Sequence, residues 1–174
     1  MNAQSNITKW LLLLAVLASL SLVLLNSHAA PKAITYNASA FELNENQVLN
    51  VYYFHGNARC NTCKRIEKYT VEALEQAYSE QMTQGQIKLN IINLETAENV
   101  HFIQDFQLTS RSVVIQIEQD GEPAQYRRLD RVWELVKKHQ AFNDYIYEQI
   151  HSFTQESAAT ASQFNVNTES AAHG

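Results

Sequence analysis

Residues 48–66 read VLNVYYFHGNARCNTCKRI, and this stretch decides the fold. Its first seven residues are mostly β-branched or aromatic, which predicts a buried strand over 48–54. Residues 55–59 break that strand. Apolar residues then recur at helical spacing, which predicts a long helix from about Cys60 to about Met82. The only two cysteines of the chain, Cys60 and Cys63, are therefore predicted to lie at a strand-to-helix junction.

This position favours a reactive thiol at Cys60. The start of a helix offers unpaired backbone N–H groups and the positive end of the helix dipole, and both stabilise a thiolate. The local sequence is also basic, with Arg59, Lys64, Arg65 and Lys68 close to the pair. We therefore interpret Cys60 as the exposed nucleophile and Cys63, one turn further along, as the resolving thiol.

Three other interpretations of the cysteine pair stay open at this point. A structural bridge closing so short a loop contributes only about 2 kcal/mol in the chain-entropy model, against about 3 kcal/mol for fifteen residues. A metal-binding or metal-delivery module would use Cys60 and Cys63 with His55 as a further ligand, because zinc and copper(I) both accept thiolates. The third alternative is a noncatalytic binding module or helper subunit.

The rest of the chain alternates strands and helices. Strands are predicted at 87–94, 112–117 and 124–129, a helix at 96–106, and a final helix from an N-cap at Asp130 to 153. This order predicts an α/β fold, with a central mixed sheet of about four strands flanked by helices. We place one domain at 34–153, with a short strand at 34–36. Residues 154–174 have few large apolar side chains and are predicted to be disordered.

Composition excludes two classes of function. The net charge is −5 and the chain has no basic tail or arginine-rich run, which argues against nucleic-acid binding. The four glycines cannot form a GxGxxG motif or a P-loop, so no cofactor is predicted.

The first 29 residues are typical of a secretory signal. Lys9 precedes an uncharged apolar run at 10–25, and Ser27 and Ala29 supply small residues before a cleavage site. An uncleaved membrane anchor is the alternative, although an apolar helix over 10–25 reaches only about 24 Å against a bilayer core of about 30 Å. Either interpretation predicts an exported domain, periplasmic or anchored facing outward, whose only membrane contact is an uncleaved N-terminus.

The strand–CxxC–helix start and the later order of elements resemble the thioredoxin superfamily. More narrowly, VYYFHGNARCNTCKRIEKYT and LDRVWEL are similar to a small bacterial family labelled nitrophenyl-compound nitroreductase subunit, over about residues 48–150. The superfamily resemblance implies a thiol–disulfide oxidoreductase whose partners are protein thiols or disulfides, with Cys60 attacking and Cys63 resolving. The narrower one implies a helper or electron-passing subunit beside a reductase, because no flavin or nicotinamide motif is present.

The sequence departs from the superfamily pattern at two places. Thioredoxins carry a cis-proline before the third core strand, but residues 109–113 here contain none. We expect Arg111 to approach the dithiol from this loop. Many thioredoxins also bury an acid six residues before the first cysteine, where this chain has Phe54.

Overall fold

The computed structural model describes Phe41 and residues 43–171, with side chains described through Thr160. The predicted signal or anchor at 1–29 and the short strand at 34–36 lie outside these residues. Among the described helices, none is long and apolar enough to cross a membrane.

Four strands form one mixed sheet. They are β1 (Gln47–His55), β2 (Ile87–Asn93), β3 (Val113–Gln119) and β4 (Glu122–Arg128). Their order across the sheet is β2-β1-β3-β4, with β1 parallel to β2 and antiparallel to β3, and β3 antiparallel to β4. The helices are α1 (Asn61–Thr83), α2 (Phe102–Asp105), α3 (Val132–Leu135) and α4 (His139–Ala171). The predicted α/β fold with a four-stranded mixed sheet is thus confirmed.

The two faces of β1 lead into different hydrophobic clusters, because successive side chains of a strand point to opposite faces. Leu49, Val51 and Tyr53 belong to the main core, with residues of α1 and α4. Phe54 belongs to a second cluster with Leu94, Phe106 and Val114. Tyr53 therefore lies on the α1 side of the sheet and Phe54 on the other.

The helix predicted over 96–106 is mostly wrong, because α2 contains only four residues. The segment before it is held by local side-chain bonds. The Asn99 amide donates to the Asn93 carbonyl at 3.0 Å and to the Thr96 hydroxyl at 2.9 Å. Such bonds compete with the helical pattern, so the chain turns instead.

The prediction of a single final helix is also wrong, since α3 and α4 are separate. Asp130 does not cap a helix: its carboxylate accepts the Ser112 hydroxyl at 3.3 Å and lies 3.4 Å from the Arg128 guanidinium. The N-cap position of α3 is Arg131, with no side-chain capping bond.

The predicted disorder after Phe153 is wrong over 154–171, where α4 continues to Ala171, and residues 172–174 lie outside the described residues. Thr154 and Ser157 are buried, and the Arg127 guanidinium pairs with Glu156 at 2.6 Å. A helix that is already nucleated and docked adds further turns at little cost, so small polar residues continue it. Amino-acid composition alone does not reveal that a docked helix stabilises the residues that extend it.

Candidate redox site

The site lies where β1 ends and α1 begins. Cys60 is the N-cap residue of α1, and its Sγ accepts the backbone N–H of Cys63 at 3.0 Å. Cys60 and Cys63 form a disulfide with their Cα atoms 5.0 Å apart. An N-cap acceptor is usually a side-chain oxygen. Here a sulfur takes that place, so a thiolate at Cys60 would meet a backbone donor and the helix dipole.

The two sulfurs differ in accessibility. Cys60 is exposed, whereas Cys63 is 2% exposed. A thiol or disulfide on another molecule can therefore reach the first cysteine and not the second. Chemically, Cys60 can form a mixed disulfide with another molecule, and Cys63 can then displace that molecule by forming the Cys60–Cys63 disulfide.

Tyr53 lies beneath the pair and was not singled out from the sequence. Its hydroxyl donates to the backbone carbonyl of Cys63 at 2.7 Å, and the residue is 2% exposed. Burial raises the pKa of this phenol, while the positive charges of Arg59 and Arg111 partly oppose the rise. The raised pKa keeps the hydroxyl protonated, so it acts as a donor. The sequence signal was available: Tyr53 shares its side of β1 with Leu49 and Val51, by simple alternation.

Two of the four cations around the pair are neutralised by carboxylates. Arg59 forms an ion pair with Glu67, and Lys68 lies 3.6 Å from Glu72. Lys64 and Arg65 are exposed and make no ion pair within the described residues. The positive charge next to Cys63 therefore comes from these two residues, and the expected support from Arg59 is shared with a carboxylate.

Glu95 and Arg111 form a clasp over the loop that precedes the cysteines. The Arg111 guanidinium donates to the Glu95 carboxylate at 3.1 Å, and the Asn57 backbone N–H donates to the same carboxylate at 3.1 Å. A Cβ at Gly56 would overlap both Glu95 Oε1 and Arg111 Nη2. The Asn57 N–H and then Arg111 lower the pKa of Glu95. The Glu95–Arg111 clasp is therefore fully charged at neutral pH and is lost only as acid protonates Glu95.

Arg111 lies beside the loop that precedes the cysteines, where its guanidinium is paired with Glu95 rather than free. Its backbone carbonyl accepts the Trp133 indole N–H at 2.7 Å, so α3 also fixes this loop. The described backbone contains no cis peptide bond. In place of a cis-proline, an indole and an ion pair hold Arg111.

A cleft of about 220 Å³ opens beside the clasp. Its lining residues are His55, Gly56, Leu94, Glu95, Ile103 and residues 108–111. Thr109 and Ser110 are exposed, and their backbone groups make no hydrogen bond within the described part of the chain. The cleft therefore combines an aliphatic wall with a strip of backbone that is free to pair.

His55 lies at the cleft, where its Nδ1 atom is 3.0 Å from the Gly56 carbonyl oxygen. Its ring stacks near Tyr53, with centroids 6.2 Å apart. Nowhere in the described residues do three His, Cys, Asp or Glu side chains gather in a way that could hold a metal ion. The metal alternative with Cys60, Cys63 and His55 thus gains no three-ligand site from the fold.

Glu95 was also missed, although a signal existed. It comes just after β2, which is parallel to β1. The carboxyl ends of neighbouring parallel strands meet at one edge of a sheet, where sites commonly form. Trp133 had no comparable signal, because the break between α3 and α4 that places it was not predictable from periodicity.

No protein-family model matches the sequence, and a comparison with curated protein sequences finds no match. Among solved structures, the chain is similar to Trxlp from Edwardsiella tarda, with 16% identity, 56% of this chain and 81% of that chain covered, and a TM-score of 0.35. It is similar to thioredoxin O2 from Arabidopsis thaliana in the oxidized state, with 17% identity, coverage of 55% and 76%, and a TM-score of 0.34. A Fasciola hepatica thioredoxin gives 18% identity, coverage of 53% and 81%, and a TM-score of 0.32.

None of these comparisons supports the narrower resemblance to a nitroreductase subunit. Similarities this weak carry no argument about activity. The fold class rests on this chain's own topology: a β2-β1-β3-β4 sheet whose central strand leads into a CxxC pair at the start of a long helix. That architecture is thioredoxin-like.

Proposed function

We propose that this protein is an exported thiol–disulfide oxidoreductase that acts on protein partners through Cys60 and Cys63. The observation that carries the proposal is the asymmetry of the pair. Cys60 is exposed at a helix N-cap with a backbone donor on its sulfur, while Cys63 is buried one turn further along. Attack and resolution need these two environments.

Exchange with a partner disulfide starts from the reduced protein. The Cys60 thiolate attacks one sulfur of a partner disulfide, forms a mixed disulfide and releases one partner thiolate. Cys63, as a thiolate, then attacks Cys60 Sγ, which breaks the mixed disulfide and releases the second partner thiolate. Two electrons pass from the protein to the partner, and the reverse sequence oxidises a partner dithiol.

The cleft supports a polypeptide as the partner. An extended chain could add to the free backbone groups of Thr109 and Ser110, as strands add to an open edge. Apolar side chains next to the reacting cysteine would then contact Leu94, Ile103 and Leu108, which line the cleft. The export that we propose from residues 1–29 would place the protein where disulfides persist.

Cys63→Ser is expected to trap mixed disulfides with partners, because the thiol that resolves them is removed. The measurement is a non-reducing gel of cells expressing a tagged full-length chain, followed by mass spectrometry of the bands that reducing agent dissolves. The Cys60→Ser/Cys63→Ser double variant is the matched control and should give no such bands. Equal yields of bands from single and double variants, or none from either, would count against the proposal.

A further inference from the structure

We propose that Tyr53 is a positioning residue that controls the redox equilibrium of the Cys60–Cys63 pair, by fixing the residue whose backbone N–H holds the Cys60 sulfur. The inference rests on the proposed function, because it concerns the same pair. It assigns a role to a side chain that contacts neither the partner nor the partner's sulfur atoms.

The geometry forms a short chain of contacts. The Tyr53 hydroxyl donates to the Cys63 carbonyl at 2.7 Å, and the Cys63 N–H donates to Cys60 Sγ at 3.0 Å. Both contacts act on the backbone of one residue. Movement of Cys63 would therefore alter the donor that a thiolate at Cys60 depends on.

The hydroxyl is rigidly placed. The Tyr53 ring is 2% exposed and packs in the main core with Leu49 and Val51. A ring held on all sides cannot swing its hydroxyl away without opening the core. The bond to Cys63 therefore anchors the first turn of α1 to the centre of the sheet.

The surrounding charges make this hydroxyl a donor and not a proton carrier. Arg59 and Arg111 favour loss of its proton, but burial opposes that loss more strongly. Each guanidinium is itself paired with a carboxylate, Glu67 or Glu95. Tyr53 is thus expected to keep its proton in both redox states and to act through position alone.

The sign of the effect follows from what each redox state needs. The reduced state carries a thiolate at Cys60, which gains from a well-placed N–H donor, whereas the disulfide gains little from it. Loosening Cys63 should destabilise the reduced state more than the oxidised state. A dithiol that is less stabilised is a stronger reductant.

Tyr53→Phe keeps the buried ring and removes only the hydroxyl. We expect its equilibrium with glutathione to shift about fivefold toward the disulfide, since one hydrogen bond contributes about 1 kcal/mol. The pH at which Cys60 becomes reactive toward iodoacetamide should rise in parallel. Both are measured on the full chain by alkylation and mass spectrometry.

Tyr52→Phe is the matched control. The Tyr52 hydroxyl donates to Gln116 Oε1 at 3.2 Å, and its side chain packs against the second cluster, on the opposite side of β1. It loses a comparable bond without touching the cysteines, so its glutathione equilibrium should match that of the wild type. A fluorine placed beside the hydroxyl at Tyr53 only, by site-specific incorporation of 3-fluorotyrosine, strengthens the donor and should shift the equilibrium the other way.

An unchanged equilibrium in Tyr53→Phe, or equal shifts in both variants, would overturn the inference. If Tyr53→Phe does not fold, the fluorotyrosine protein serves as the test. A glutathione equilibrium equal to that of the wild type would then overturn the inference. Failure of the proposed function is a separate result, because it appears in the wild-type chain as a pair that does not exchange reversibly with glutathione.

Discussion

Cys60→Ser is expected to reduce the rate of disulfide exchange to that of the uncatalysed reaction. The serine hydroxyl is not ionised at neutral pH and does not attack disulfides as a thiolate does, and the remaining thiol at Cys63 is buried. The measurement is the rate at which the full chain reduces a protein disulfide in the presence of dithiothreitol.

The free energy of unfolding should change only modestly in this variant, although its exchange activity is lost. Loss of a bridge that closes so short a loop costs about 2 kcal/mol in the chain-entropy model. Urea unfolding of Cys60→Ser and of the oxidised wild type gives this difference. Thr62→Ser, which lies between the cysteines and keeps both, is the control and should retain its activity. Exchange that survives in Cys60→Ser would show that the catalytic thiol has been misassigned.

Gly56→Ala is expected to lower kcat/KM for a protein disulfide about tenfold and to destabilise the fold by about 1 kcal/mol. An added Cβ would overlap Glu95 Oε1 and Arg111 Nη2, so either the clasp opens or the loop before Cys60 moves. The overlapping atoms are the outer ends of two partly exposed side chains that can move aside, so the main cost is the loss of a surface ion pair, at most about 1 kcal/mol. Small displacements of a reacting group reduce rates strongly. Stopped-flow reduction of the partner and urea unfolding provide the two values.

A double-mutant cycle tests whether the clasp causes the effect. In a Glu95→Ala/Arg111→Ala background the atoms that would overlap the new Cβ are gone. Gly56→Ala should then cost less than about 0.5 kcal/mol, because coupling between neighbours is what such a cycle measures. A cost that stays the same with and without the clasp would place the strain elsewhere in the loop.

The parts of the fold that the sequence predicts are those with strong local patterns. The strand before the cysteines follows from its β-branched and aromatic residues, and the long helix after them from the spacing of its apolar residues. The returning hairpin also has a local signal, and the structure has β1, α1, β3 and β4 at these places. The failures share a cause. Side-chain bonds at Asn93 and Asn99, and the pairing of Asp130 with Arg128, join residues that are close in sequence, but the spacing of apolar residues does not reveal polar bonds of this kind.

The residues of the site likewise divide into those that the sequence predicts and those that it does not. Cys60 and Cys63 are found from spacing and position, since their chemistry is local. The clasp joins residues 95 and 111 against Gly56, and the bond from Trp133 comes from a separate helix. Those contacts need the sheet order, which brings the ends of β1 and β2 and the start of β3 to one edge.

Phe54 and Tyr53 illustrate how a one-residue offset misleads. Counting back six residues from Cys60 reaches Phe54, which points into the second cluster. The side chain beneath the pair is one residue earlier, because strand residues alternate between faces. The face of the strand to which a side chain points, and not its distance along the chain, decides which residue lies beneath the cysteine pair.

The redox midpoint of the Cys60–Cys63 pair, from a glutathione titration of the full chain with alkylation and mass readout, distinguishes a redox-active pair from a structural bridge. We expect a reversible midpoint between about −270 and −120 mV, the range of known thiol–disulfide oxidoreductases. A midpoint well below about −300 mV would contradict it and identify the pair as a structural bridge.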